Sequence, residues 1–247
     1  MPDAFDTSGP ETDTTSADDE SPPCAVVLAS GGMDSTTAAY EALERGYELF
    51  VLHTSYGQRT ASKEYECARA LADAVDAVEF VHVETDHLAA IGGSSLTDDG
   101  PIEDAATDRE EIPSTYVPFR NANLLAMAVS YAEATSCEAV FVGAHSEDYA
   151  GYPDCRPAFF EAFQRVVDVG TKPETEISIE VPFVDCSKTE IAARGIDLGV
   201  PFERTWSCYR DEEPACGTCD SCAYRLGAFQ ALGERDPIPY AERPRFD

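Results

Sequence analysis

Basic residues are scarce. Lys and Arg number 17 against 47 Asp and Glu in 247 residues, a formal net charge of -30. Binding phosphodiester backbones takes Lys and Arg to displace counterions, so this balance argues against nucleic acid as a direct partner, and against anionic membrane surfaces. The acids are spread along the whole chain. That pattern suits a very salty cytosol, where screening removes the self-repulsion, and a halophilic, archaeal source is expected. Long apolar runs are missing, so no membrane span is predicted. The N-terminus has neither the basic region nor the apolar stretch of a signal peptide, and a cytoplasmic location follows. Residues 1–23 contain no Lys or Arg and are rich in Asp, Glu, Ser, Thr and Pro. Such a composition predicts a disordered acidic tail. Of nine cysteines, four cluster near the C-terminus and the rest are scattered. This fits a reducing cytosol with one metal site better than a secreted disulfide framework. Cys24, Cys67, Cys137, Cys155 and Cys186 are read as packing residues, with Cys155 the exception, the candidate redox-active thiol outside the cluster.

What the chain does have is a regular alternation. A hydrophobic share of 43% is ample for a packed core. Strands are predicted at 24–29, 49–53, 79–83, 139–143 and 177–181. Helices are predicted at 35–46, 61–74, 121–134, 158–169, 188–198 and 223–232. Strand–helix alternation implies an α/β fold with a doubly wound, mostly parallel sheet. The expected division is 24–200 for the α/β domain and 201–247 for a C-terminal cysteine element packed on it. A polar stretch from Thr85 to Pro113 is long enough to be a lid, a binding loop or locally disordered.

The most informative run is Ala29, Ser30, Gly31, Gly32, Met33, Asp34, Ser35, Thr36, Thr37, Ala38 and Ala39. It joins the first strand to the first helix. Backbone N–H groups at such a turn face an anion, and glycine lets the backbone approach it. No lysine is present, which excludes the GxxxxGK[ST] loop. The run SGGxDS instead resembles the pyrophosphate loop of enzymes that split ATP into AMP and diphosphate. The competing reading is an ordinary turn with Asp34 or Ser35 near a helix N-cap.

Cys208, Cys216, Cys219 and Cys222 follow C-x7-C-x2-C-x2-C, a spacing that can wrap one tetrahedral ion. Structural Zn²⁺ is preferred. An iron–sulfur cluster and four unligated thiols are the alternatives, and the first lacks the further Cys and Pro of the ferredoxin run.

Three further segments carry candidate ligand-binding residues. Tyr152, Asp148, Asp154 and Arg156 lie in a loop of aromatics, carboxylates and prolines after a predicted strand, suited to a flat heteroaromatic ring. Arg120 can hold a carboxylate or phosphate bidentately, and Asn121 follows it at a helix start. Lys188 opens another helix in a chain whose only lysines are Lys63, Lys172 and Lys188. His53 and His145 end strands near the expected nucleotide edge, and His82 reads as structural. None of the three is taken as a catalytic base.

Taken together, Ser30-Gly-Gly-Met-Asp-Ser-Thr-Thr37, Tyr56-Gly-Gln-Arg59, Pro118-Phe-Arg-Asn121, the segment from Glu147 to Pro157 ending in GYPDCRP, and Thr205-Trp-Ser-Cys-Tyr209 with the cysteine cluster resemble the 7-cyano-7-deazaguanine synthase family. The resemblance covers about residues 24–233 and implies an adenine-nucleotide α-hydrolase-like Rossmann variant. It implies a ligase that converts 7-carboxy-7-deazaguanine and ammonium to the nitrile through an adenylated acid and an adenylated amide, using ATP with Mg²⁺. Ser30, Asp34, Ser35, Lys188 and Arg59 would serve catalysis, and Arg120, Asn121, Asp148, Tyr152, Asp154 and Arg156 the deazapurine. A homodimer, free ammonium as nitrogen source and a product feeding queuosine or archaeosine are likewise implied. The family often has His where Thr60 stands, Gly where Phe119 stands and Asn where His145 stands. Other pyrophosphate-loop enzymes, tRNA thiolases and lysidine-type ligases, are the rival class, and a non-catalytic zinc and nucleotide module is another.

Overall fold

The computed structural model describes residues 22–106, 111–146 and 151–246. The predicted acidic tail therefore lies, up to residue 21, outside the described residues. Five strands, β1 (Cys24–Leu28), β2 (Glu48–Ser55), β3 (Glu79–Glu84), β4 (Ala139–Phe141) and β5 (Ser178–Glu180), form one parallel sheet in the order β3-β2-β1-β4-β5. The helices are α1 (Met33–Glu44), α2 (Ala61–Ala74), α3 (His87–Ile91), α4 (Arg120–Thr135), α5 (Pro157–Gly170), α6 (Lys188–Asp197) and α7 (Asp220–Ala231).

Strand side chains alternate between faces, and both faces here are apolar. Ala25, Val27, Leu49, Val51, Ala139 and Phe141 pack against α1 and α2 through Ala39, Ala42, Ala68 and Leu71. Val26, Leu52 and Val140 pack against α4 and α5 through Leu125, Ala128 and Phe160. Helices thus cover the sheet on both sides, as the alternation predicted. The chain runs outward from β1 to β2 and β3, then returns to β1's other side with β4 and β5. The C-terminal ends of β1 and β4 are the point where the winding reverses, where open α/β sheets bind ligands.

Three features differ from expectation. The stretch 85–113 contains the short helix α3, and it is seated rather than loose: Leu88, Leu96 and Ile102 are buried with Trp206 and the cysteine element. Helix α1 begins at Met33 with Gly32 as its N-cap, so Asp34 and Ser35 lie inside its first turn. Cys24 and Cys137, read as packing residues, are joined as a disulfide with their Cα atoms 4.7 Å apart. β1 and β4 are neighbours, and the Glu138 N–H donates to Cys24 O, which places the two thiols side by side.

Residues from Val200 onward share a core with the start of α1. Met33 is buried with Val200, Phe202, Ala228 and Phe229. Arg225 is fully buried, doubly bonded to Asp236 at 2.7 and 3.0 Å, and also donates to Thr205 Oγ1 and Phe202 O.

Candidate active site

At the reversal point the first turn of α1 faces a cavity of about 550 Å³. The N–H groups of Met33, Asp34 and Ser35 begin the helix and so have no intrahelical acceptor. Two glycines allow the close packing around them. Gly31 has φ +77°, and a Cβ there would sit 2.5 Å from Glu64 O. A Cβ on Gly143, after β4, would sit 2.6 Å from Ser35 N. Hydroxyls complete the turn: Ser30 Oγ lies 3.0 Å from Ser35 Oγ and accepts from Gly32 N at 3.2 Å. Thr37 instead donates to Met33 O, and Thr36, Thr37, Ala38 and Ala39 are buried behind the turn. Of the run predicted to hold ATP, its first part, Ala29, Ser30, Gly32, Asp34 and Ser35, lines the cavity. His53 supports this from beneath, its Nδ1 donating to Ala29 O at 2.7 Å.

Lys188 and Asp34, 154 positions apart in the chain, meet here with Nζ 2.5 Å from Oδ2. Lys188 is buried, and its Nζ is 3.2 Å from His145 Nε2. Burial works to raise the Asp34 carboxyl, but the Lys188 charge, His145 and the Lys188 hydrogen bond outweigh it and hold it below its ordinary range. The other oxygen, Oδ1, is buried with no hydrogen-bond partner among the described residues. A carboxylate oxygen left without a donor, on a residue that lines the cavity, suits a hard divalent cation.

The cavity is also lined by Tyr56, Arg120, Tyr152, Trp206, Tyr209 and Tyr224. Arg120 Nη1 donates to Tyr56 OH at 2.9 Å, and the guanidinium lies over the Tyr56 ring. Burial opposes its charge, while the three tyrosines Tyr56, Tyr209 and Tyr152 more than offset this, so it stays cationic. Tyr152 OH is 2.9 Å from Thr115 Oγ1.

The four clustered cysteines place their sulfurs within 4.8 Å of one another. Backbone N–H groups of Arg210, Asp211 and Cys216 donate to Cys208 Sγ, and those of Thr218 and Cys219 to Cys216 Sγ. Such N–H···S bonds favour thiolates, and four of them make a closed metal site. Trp206 N donates to Gly31 O at 2.8 Å, tying this element to the turn that opens α1.

The family model described as Queuosine biosynthesis protein QueC matches residues 24–233. The chain belongs to this family. A protein of Haloarcula marismortui named 7-cyano-7-deazaguanine synthase is 71% identical over 224 residues, 90% of this chain and 97% of that one. One of the same name from Methanoculleus marisnigri is 58% identical over 217 residues, 87% of this chain and 98% of that one. Among solved structures, an NMN synthetase from Francisella tularensis matches with a TM-score of 0.47 at 16% identity, covering 87% of this chain and 79% of that one.

Family membership frames where each predicted residue lies. Ser30, Asp34, Ser35, Lys188, Arg59, Arg120, Asn121 and Tyr152 all line the cavity. Arg59, expected at the phosphates, spends its Nη2 on the carbonyls of Asp98 and Gly100; it straps the long loop to the cavity rim. Asp154, expected to read the ring, is buried away from the lining, and its Oδ2 accepts from Asn121 N at 2.8 Å. It caps α4, because a carboxylate beside a helix N-terminus takes the amides that have no other acceptor. Asn121 in turn spends its side-chain amide on Asp154 O and Cys155 Sγ. Arg156 is exposed at the N-cap of α5. Asp148 lies outside the described residues. Phe119 has φ +56° at the N-cap of α4, a conformation that costs any residue with a Cβ. Sequence reasoning missed Glu64, Tyr224 and Leu96. Glu64 sits among ordinary helix residues, and its only signal is its place in the first turn after β2.

Proposed function

We propose that this chain forms 7-cyano-7-deazaguanine from 7-carboxy-7-deazaguanine, ammonium and ATP, working in the cytoplasm. The observation that carries the reading is that Asp34 and Ser35 of the first turn of α1, Lys188 and Arg120 line one cavity, in a chain whose relatives are named for that product.

Arg120 grips the substrate carboxylate, its fork matching two oxygens. Tyr56, Tyr152 and Tyr209 offer rings and hydroxyls to the deazapurine. The carboxylate oxygen attacks the α-phosphorus of ATP, and the bond to diphosphate breaks. Charge builds on the departing diphosphate, and the N–H groups of Asp34 and Ser35, the hydroxyls of Ser30 and Ser35 and the Lys188 ammonium are the donors this reading assigns to it. Ammonia then displaces AMP to give the amide. A second adenylation, on the amide oxygen, makes that oxygen a leaving group, and its loss leaves the nitrile. Asp34 would hold Mg²⁺, which supplies further charge neutralisation at the phosphates. Cys208, Cys216, Cys219 and Cys222 would hold Zn²⁺ with no open position, so its part is structural. The substrates are small molecules rather than nucleic acid, and the working unit is read as a homodimer.

The test is direct. Purified protein in high KCl is supplied with 7-carboxy-7-deazaguanine, ammonium, ATP and Mg²⁺, and the products are read by mass spectrometry. Nitrile with AMP and diphosphate is the expected result. Absence of both nitrile and amide overturns the reading, and ADP in place of AMP overturns the role of the turn.

A further inference from the structure

We infer that Glu64 is the group that binds ammonium and takes its first proton. The inference rests on the reaction proposed above and names the site of its third substrate. Glu64 stands in the first turn of α2 and lines the cavity with Ser30, Asp34 and Arg120. Its turn lies directly against the phosphate-facing loop, since a Cβ on Gly31 would meet its carbonyl.

The carboxylate is held in place by neutral donors. Thr60 Oγ1 donates to Oε1 at 2.7 Å, and Gln58 Nε2 donates to Oε2 at 2.9 Å. Gln58 is buried, and its Oε1 accepts from Tyr56 N at 2.8 Å, which fixes which end of the amide meets Glu64. Each carboxylate oxygen therefore keeps acceptor capacity for a further donor. Asp34 has Lys188 as its ion-pair partner, whereas Glu64 has none among the described residues. A half-buried carboxylate without an ion-pair partner invites a small cation. Burial also holds its carboxyl above the ordinary range, despite Thr60, Gln58 and Arg120, which makes it a better proton acceptor than an exposed glutamate.

The step balances simply. Glu64 takes one proton from ammonium, leaving neutral ammonia. The nitrogen lone pair forms a bond to the carbonyl carbon of the acyl adenylate. The bond from that carbon to the phosphate oxygen breaks, AMP leaves with the electron pair, and the nitrogen's surplus proton goes to the leaving phosphate.

The experiment compares ammonium with hydroxylamine, which is uncharged at neutral pH and traps an acyl adenylate as the hydroxamate. For Glu64→Gln, kcat/KM for ammonium should fall about 100-fold, with hydroxamate formation staying within about threefold of the unaltered chain. Glu64→Asp, which keeps the charge but withdraws it, should show the same split at a smaller size and carries the test if Glu64→Gln fails to fold. Unchanged ammonium dependence overturns the inference. So does equal loss with both nucleophiles, which would put Glu64 in the activation step or the scaffold. If the unaltered chain makes no hydroxamate from 7-carboxy-7-deazaguanine and ATP, the proposed reaction itself falls, and this inference with it.

Discussion

Lys188 and Asp34 show how much rests on single contacts at this site. Removing one partner of a buried pair leaves an uncompensated charge and costs about 3–5 kcal/mol. Lys188→Met should therefore destabilise the chain by that order in urea melts and abolish product formation. Because the folded state holds the Asp34 carboxyl below its ordinary value of 3.8, this contribution is present above that value and is lost as pH falls through the lowered one. The stability gap between Lys188→Met and the unaltered chain should be full near neutrality and shrink below about pH 4; a gap that grows in acid would contradict the pair. His53 gives a milder prediction. Its Nδ1 bond to Ala29 O positions the turn without touching the cavity. His53→Leu should cost about 1 kcal/mol and raise KM for ATP more than it lowers kcat, and His53→Asn, which keeps a donor near the same place, should restore KM.

Among the elements, the cysteine cluster and the turn that opens α1 behave as one body. The single tryptophan of the chain, Trp206, joins them: its backbone donates to Gly31 O, its indole donates to Asp211 O, and it is buried. A structural Zn²⁺ contributes on the order of 10 kcal/mol to its own element. Cys219→Ser, or a strong chelator, should remove the bound metal, shift tryptophan emission to longer wavelength and weaken ATP binding together. Metal analysis, fluorescence and nucleotide titration read the three effects. Loss of metal with emission and ATP affinity unchanged would uncouple the two elements. At this scale the cysteine spacing was legible because the ligands are near in sequence. The coupling was not, because it depends on a hydrogen bond between residues 206 and 31.

For the whole molecule, the dominant quantity is the net charge of -30. Self-repulsion of that size opposes compactness, and the Debye length falls from about 10 Å at 0.1 M salt to about 3 Å at 1 M. Raising KCl over that range should lift the midpoint of thermal unfolding by several degrees, on the order of 5 °C. A flat or falling midpoint would sever the acidity from salt. The relatives' organisms, Haloarcula marismortui among them, accord with the halophilic expectation.

By itself the sequence determined the alternation of strands and helices, the two-sided burial of β1 and the location of the turn and the cysteine cluster. These are local properties: side-chain period, glycine at a turn and ligands a few residues apart all act within one element or its neighbour. Only the tertiary structure decided which charges meet. It gave Lys188 to Asp34, drew Arg59 onto the long loop, turned Asp154 from a ring reader into a helix cap, joined Cys24 to Cys137 and left Glu64 facing the cavity. Those outcomes follow from sheet order and helix packing, which bring distant segments within hydrogen-bond range, and hydrogen-bond strength depends on angstroms that sequence spacing does not carry.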